Sequence, residues 1–117
     1  MKLAALVLAL LPVVAGAQEN TELGTGAILR GLEKVSGDIV DMTLRPGEQA
    51  QIGPLTVELT ECRYPQGDPA ADAFAYITIR DEAVEPIFSG WMIASSPALN
   101  ALDHPRFDVW VLRCRIE

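Results

Sequence analysis

Histidine and cysteine are scarce in this 117-residue chain, which contains one histidine and two cysteines. His104, Cys62 and Cys114 are too few for a four-ligand zinc site, and the sequence predicts no metal or cofactor. Basic residues are also few, since nine lysines and arginines stand against sixteen acidic residues and give a formal net charge of −7. That charge repels a phosphate backbone, so we do not expect a nucleic-acid partner.

Long apolar runs are missing except at the start of the chain. Residues 3–14 are predominantly apolar, follow Lys2 and precede Ala15-Gly16-Ala17. This pattern is typical of a secretory signal peptide spanning residues 1–17 and cleaved after Ala17. The run is shorter than the roughly 20 residues that a membrane-spanning helix needs. We therefore predict an exported protein with no transmembrane segment in the mature chain.

The remaining sequence predicts one small all-β domain. Residues 18–27 are polar and without periodicity, which favours a flexible N-terminal arm, and residues 28–117 form the domain. Alternating apolar residues predict strands at 38–44, 54–59 and 73–80, and "RPGE" predicts a type II turn after the first of them. Together with residues 86–94 and 107–115, the pattern indicates a sandwich or barrel of about five to seven short strands.

Cys62 and Cys114 are expected to form a disulfide, because an even cysteine count is typical of small exported domains. Their separation in sequence does not fit a C-x-x-C redox pair. A regular pleat would point Cys62 at solvent and Cys114, together with Trp110 and Leu112, at the core. Either a β-bulge near Glu61 or a strand that ends before Cys62 would bring the two thiols together.

The segment "SSPALNALDHP" breaks the strand pattern. Ser96 is a good helix N-cap and Pro97 suits the first helical position, while Pro105 prevents a helix from continuing through His104. The sequence therefore predicts one short helical cap near residues 97–102, with its apolar residues covering one end of the core.

The segment from residue 86 to 94 carries apolar residues on both parities of the strand. Phe88, Trp91, Met92 and Ile93 cannot all face one core, so the segment is covered on its second face by another sheet or by a partner. These four residues are the candidate partner surface, because exposed apolar patches commonly mark interfaces. Trp110 is expected to fill the core instead.

Ser95 or Ser96, with Asp103 and His104, contain the residue types of a nucleophilic triad. Neighbouring Asp and His side chains do not readily form the hydrogen bond that orients a catalytic imidazole, and the chain has no G-x-S-x-G motif. Helix capping and turn formation explain these residues better. A small hydrolase using Ser96 and His104 remains an alternative, and the sequence predicts no catalytic residue.

Carboxylates are too frequent in this chain for any pair to indicate chemistry. Asp68 and Asp72 match no calcium-loop spacing, which favours an ordinary proline-containing loop. Acid pairs for glycoside hydrolysis are better explained as solvated side chains; they could be drawn from Glu58, Glu61, Asp81, Glu82 and Glu85.

The runs "LRGLEKVSG", "CRYP", "AFAYITI" and "FSGWMIASSPALNALDHPRFDVWVLRC" resemble a family of small exported alphaproteobacterial proteins, domain of unknown function 2155. The likeness extends from Leu29 to Cys114 and includes both cysteines. The family supplies no catalytic residue or cofactor. Its genes often neighbour one for an accessory subunit of the respiratory NADH:quinone oxidoreductase. For an exported, periplasmic protein this association suggests packing against the periplasmic side of that complex.

These observations favour a periplasmic binding or structural module without catalytic activity. The alternatives are an accessory or assembly protein on the periplasmic side of the respiratory complex, and the small hydrolase described above.

Overall fold

The computed structural model describes residues 20–117, which form a β-sandwich with no helix in that range. Its eight strands are β1 (Thr21–Leu23), β2 (Gly26–Glu33), β3 (Ile39–Leu44), β4 (Gln49–Ile52), β5 (Leu55–Pro65), β6 (Phe74–Arg80), β7 (Phe88–Ile93) and β8 (Phe107–Arg115). The predicted signal peptide lies outside the described residues.

Two antiparallel sheets pack face to face. The larger, called the β5 sheet, has the order β1-β5-β6-β7, with β4 also paired to β5; the smaller, called the β2 sheet, has the order β3-β2-β8. The structure therefore confirms the all-β class and shows a sandwich rather than a barrel. It contains eight strands instead of five to seven, because β1 and β4 are short edge strands that carry little periodic signal.

The core lies between the sheets and follows the period of two that the sequence shows. Leu55, Val57 and Leu59 on β5 are fully buried, as are Ala75, Ile77 and Ile79 on the neighbouring β6. The β2 sheet contributes Ala27, Leu29, Met42, Leu44, Phe107, Val109 and Val111 to the same cluster. Each strand thus presents one apolar face inward and leaves the other for solvent or a partner.

Two β-bulges bring the cysteines together. Thr60 has no partner between the pairs Leu59↔Ile77 and Glu61↔Tyr76, so Cys62 turns into the core with 0% exposure. Leu112 is likewise unmatched between Val111 and Arg113, which turns Cys114 inward. The two residues form the predicted disulfide with a Cα–Cα distance of 5.7 Å. The predicted bulge near Glu61 is confirmed, and a second one was not foreseen.

The second bulge reverses the expected facing of β8. Val109 and Val111 are each 1% exposed and fill the core, whereas Trp110 and Leu112 are only partly buried. The expectation that Trp110 fills the core was wrong, because apolar residues occupy both parities of this strand and the sequence does not show which parity faces inward.

The turn after β3 forms as predicted. The Glu48 N–H donates to the Arg45 carbonyl at 2.9 Å, and Gly47 has φ +86°, as the third position of a type II turn requires. The turn leads into β4 rather than directly into β5. A two-residue loop follows, in which Gly53 has φ +54° and a Cβ there would lie 2.4 Å from the Phe107 ring.

Within the segment predicted as a flexible arm, residues 18–27, the described part from residue 20 contains β1 and the start of β2. β5 continues past Leu59 to Pro65, and its last residues provide an edge on which Thr21, Glu22 and Leu23 pair. The Gly24 N–H donates to the Cys62 carbonyl at 2.7 Å as the chain crosses to the β2 sheet. A three-residue edge strand is too short to show alternation in the sequence.

The predicted helical cap is absent from the described residues. Between β7 and β8 the Leu99 N–H donates to the Ser96 carbonyl at 3.1 Å, which closes one turn, and no helix follows. Leu102 reaches the core at 5% exposure, but Leu99 is 74% exposed. Asn100 contributes to the difference, because its side chain bonds to the Trp91 carbonyl and ties this segment of turns and bends to β7.

Candidate docking surface on the β5 sheet

The four residues of the predicted partner surface alternate between the two faces of β7. Met92 is 2% exposed and Phe88 packs against the core, so both face inward. Trp91 and Ile93 face outward, and Trp91 is 40% exposed. Met92 is therefore not part of the outer surface, because a strand places successive side chains on opposite faces.

Two residues of β6 complete the outward group. Phe74 lies opposite Ile93 and Tyr76 lies opposite Trp91. The Trp91 ring meets the Tyr76 ring edge to face, with centroids 5.3 Å apart and planes at 83°. We call Phe74, Tyr76, Trp91 and Ile93 the aromatic patch. The alternation in "AFAYITIR" already placed Phe74 and Tyr76 on one side, but only the pairing of β6 with β7 puts them beside Trp91.

Charged residues of β5 border the aromatic patch. Arg63 lies opposite Phe74, Glu61 opposite Tyr76, and Glu58 opposite Thr78. The Arg63 guanidinium donates to the Glu61 carboxylate at 3.2 Å, with both side chains partly exposed. The Gln49 amide donates to the Glu58 carboxylate at 2.8 Å. The patch thus has an apolar centre and a polar border that contains both signs of charge, as protein interfaces do.

Asp72 fixes one end of this surface. Its Oδ2 accepts the Ser95 hydroxyl at 2.6 Å, and its Oδ1 accepts the backbone N–H groups of Ser95 and Ala73 at 3.0 and 2.8 Å. Partial burial opposes ionisation of Asp72, but these hydrogen bonds outweigh it and lower the pKa of the carboxyl. The carboxylate therefore joins the start of β6 to the turn after β7.

The open edge of β7 is partly closed by Asn100. Its amide Nδ2 donates to the Trp91 carbonyl at 2.9 Å, so this carbonyl points away from β6. A Cβ on Gly90 would lie 2.7 Å from that Nδ2, which shows how closely Asn100 approaches the strand. Asn100 occupies a position that an added strand would need, so the side-chain face is the more accessible surface.

The residues of the conceivable triad have structural roles. His104 Nδ1 accepts the backbone N–H groups of Arg106 and Phe107 at 3.0 and 3.1 Å, which orders the entry to β8. Ser95 is bonded to Asp72. Among residues 20–117, no hydrogen bond joins Ser96 or Asp103 to His104, so the structure does not assemble the hydrolase arrangement.

Several of the acidic residues that could form catalytic or metal-binding pairs are engaged in separate hydrogen bonds. Asp72 is engaged with Ser95, Glu61 with Arg63, and Asp81 Oδ1 accepts the Ala83 N–H in the β6–β7 turn. Within the described part of the chain, no group of three His, Cys, Asp or Glu side chains is placed to hold a metal ion. No helix long and apolar enough to cross a membrane occurs in the same range.

Comparison with known proteins identifies relatives but no characterised function. The chain is 23% identical over 94 residues to an uncharacterised protein, RP359, of Rickettsia prowazekii. The match covers 77% of this chain and 61% of the relative, so the chain spans about three fifths of that protein's length. No solved structure matches it significantly. The family model described as "Uncharacterized protein conserved in bacteria (DUF2155)" matches residues 27–114, and the chain belongs to this family.

Proposed function

We propose that this protein is an exported, periplasmic binding or structural module that docks onto a protein partner through the aromatic patch. The single observation that carries the proposal is the outward Trp91, 40% exposed on a sheet face beside Tyr76. Aromatic side chains are enriched in the energetically dominant part of interfaces, and a tryptophan held by a neighbouring ring loses little conformational freedom on binding.

The surroundings of the patch support docking over catalysis. The hydrogen-bonding groups near it are already engaged, since Asp72 holds Ser95 and the Tyr76 hydroxyl lies 3.1 Å from the Ser89 hydroxyl. Catalysis needs convergent polar groups free to act on a substrate. A rigid apolar surface with a charged border instead provides area and orientation for a partner.

The docking proposal is tested with a photo-crosslinking residue in place of Trp91 in the full exported chain. Crosslinks formed in the cell envelope are identified by mass spectrometry, and Val35 serves as the matched control because it is 80% exposed on the β2–β3 turn. We expect defined protein adducts at position 91 and none at position 35. Respiratory NADH:quinone oxidoreductase subunits in the adduct would identify the assembly that the family resemblance suggests. Equal labelling at both positions, or none, would refute docking through the patch.

The absence of catalysis has its own test. The purified protein and its Ser96→Ala and His104→Ala variants are assayed on broad panels of ester, glycoside and peptide substrates. We expect no turnover above buffer for any of the three. Turnover that disappears in a variant with an unchanged circular dichroism spectrum would make the protein an enzyme.

A further inference from the structure

The aromatic patch lies within three rows of side chains that cross the β5 sheet at right angles to the strands. The central row is Glu61–Tyr76–Trp91, with Arg63–Phe74–Ile93 on one side and Glu58–Thr78–Ser89 on the other. Along β5, the two outer rows thus carry opposite charges on either side of Glu61, while the centre of the face on β6 and β7 is aromatic.

We propose that the partner of this face is a second copy of the chain, in a two-fold dimer. This inference rests on the proposed docking function and specifies its partner. In such a dimer the two β5 sheets pack face to face, and the two-fold axis runs between them along the central row. Each strand then lies over its own copy with reversed direction. Both subunits use the same patch, as in the isologous interfaces of most soluble dimers.

The axis brings complementary groups together. Rotation about the central row places Trp91 against Trp91 and Tyr76 against Tyr76 of the two copies. It also places Glu61 opposite Glu61, and each of these carboxylates is paired with Arg63 of its own chain. The same rotation exchanges the two outer rows, so Arg63 of each copy faces Glu58 of the other. Sheets that pack face to face lie about 10 Å apart, a separation that long side chains cross.

Charge distribution favours the same arrangement. The chain has a net charge of −7, yet the outward positions of β5 and β6 balance Arg63 and Arg80 against Glu58 and Glu61. The excess acids include Asp81, Glu82 and Glu85, exposed in the turn between β6 and β7. The two-fold axis reverses the strands, so these acidic turns lie at opposite ends of the dimer. The face that meets its copy is therefore neutral in sum, which lessens the repulsion that the net charge causes.

Sedimentation equilibrium of the purified exported chain tests the dimer, with wild type, Trp91→Ala, Glu58→Arg, Arg63→Glu and the double variant Glu58→Arg/Arg63→Glu. We expect each single charge reversal to weaken dimerisation at least about tenfold, because it places like charges opposite each other. The double variant restores opposite charges and should return to within about threefold of wild type. Asp38→Arg, an exposed change in the β2–β3 turn, should leave the dimer unchanged.

The outcomes separate this inference from the docking function. Circular dichroism and thermal unfolding first establish that each variant is folded, because Arg63→Glu also removes the Arg63–Glu61 ion pair. A wild-type monomer at hundreds of micromolar, or a dimer that the double reversal does not restore, overturns the two-fold arrangement. Docking through the patch still stands in that case if position 91 crosslinks to a different protein.

Discussion

The two tryptophans occupy outer faces of opposite sheets and are covered in different ways. Trp110, on the β2 sheet, is partly buried and borders a groove of about 390 Å³ together with Pro97, Ala98 and Ala101 of the β7–β8 segment. Trp91, on the β5 sheet, rests against Tyr76 and remains 40% exposed. Trp110 is thus the more buried of the two, and Trp91 presents more of its surface outward.

The difference in exposure between the two tryptophans, which composition does not show, favours a docking surface on the β5 sheet. Both side chains have the same chemistry and both strands carry apolar residues on both parities. Their surroundings distinguish them, because Pro97, Ala98 and Ala101 of the β7–β8 segment line a groove with Trp110, whereas Trp91 has Tyr76 as its aromatic neighbour. A large apolar side chain that is exposed on a sheet face is the type of feature that marks an interface.

The largest effect on stability should come from the disulfide, which joins β5 of one sheet to β8 of the other. We expect the double variant Cys62→Ala/Cys114→Ala to lose roughly 4 kcal/mol of unfolding free energy, from a loop with a sequence separation of 52 residues. Urea unfolding of the oxidised wild type and the variant measures the difference. Wild type treated with reductant is the matched control and should lose a similar amount; a change below about 1 kcal/mol would show that the bond contributes little.

Truncating the two tryptophans separately measures how much each contributes to the unfolding free energy. Trp110→Ala should cost about 2 kcal/mol of unfolding free energy, because it removes a partly buried indole from the outer face of the β2 sheet. Trp91→Ala should cost about 1 kcal/mol, chiefly the edge-to-face contact with Tyr76. Urea unfolding at a protein concentration too low for association checks both values. The reverse order would mean that Trp91 is the structural residue and that the docking surface lies elsewhere.

The sequence predicts the inner faces of the strands well and the outer faces poorly. Period-two alternation identified Leu55, Val57 and Leu59 as one buried face, since only one parity of that strand is apolar. In β7 and β8 both parities are apolar, so the facing depends on long-range pairing and on a bulge at Leu112 that no local signal announces. Trp91, one of the four predicted surface residues, is exposed, and Phe74 and Tyr76 lie beside it only because of the register of β6 with β7.

The predicted helix failed for a related reason. Ser96, Pro97 and Pro105 are local signals for the beginning and end of a helix, and they describe the segment correctly as a connection between strands. A helix of one or two turns gains little stability on its own. The bond from Asn100 to the Trp91 carbonyl and the burial of Leu102 are tertiary interactions, and they favour the turns and bends of this segment over a helix.

The hydrogen bond from the Asn100 amide to the Trp91 carbonyl can be removed by substitution. Asn100→Ala should cost about 1 kcal/mol and free the Trp91 carbonyl at the edge of β7, because the amide no longer donates to it. Hydrogen exchange should increase in residues 96–102 and leave the β2–β3 pair unchanged. Asn100→Asp is the control, since a carboxylate cannot donate to the carbonyl and should behave like alanine. Equal protection in wild type and both variants would show that the segment is held by other contacts.

Asp72, at one end of the aromatic patch, should make a small contribution to the pH dependence of stability. Because the folded state lowers the pKa of this carboxyl, its stabilisation is complete above the unfolded value of about 4 and disappears as the pH falls through the folded value. The Asp72→Asn variant should therefore lose less thermal stability than wild type when the pH falls from about 5 to about 3. Differential scanning calorimetry across that range measures the change, with Asp103→Asn as an exposed control in the β7–β8 segment.

Because Asp72 joins the start of β6 to the turn after β7, the effect should appear in the hydrogen exchange of the Ala73 and Ser95 amides before it appears near Trp110. Identical pH profiles for wild type and Asp72→Asn would show that the carboxylate does not hold these two strand ends together.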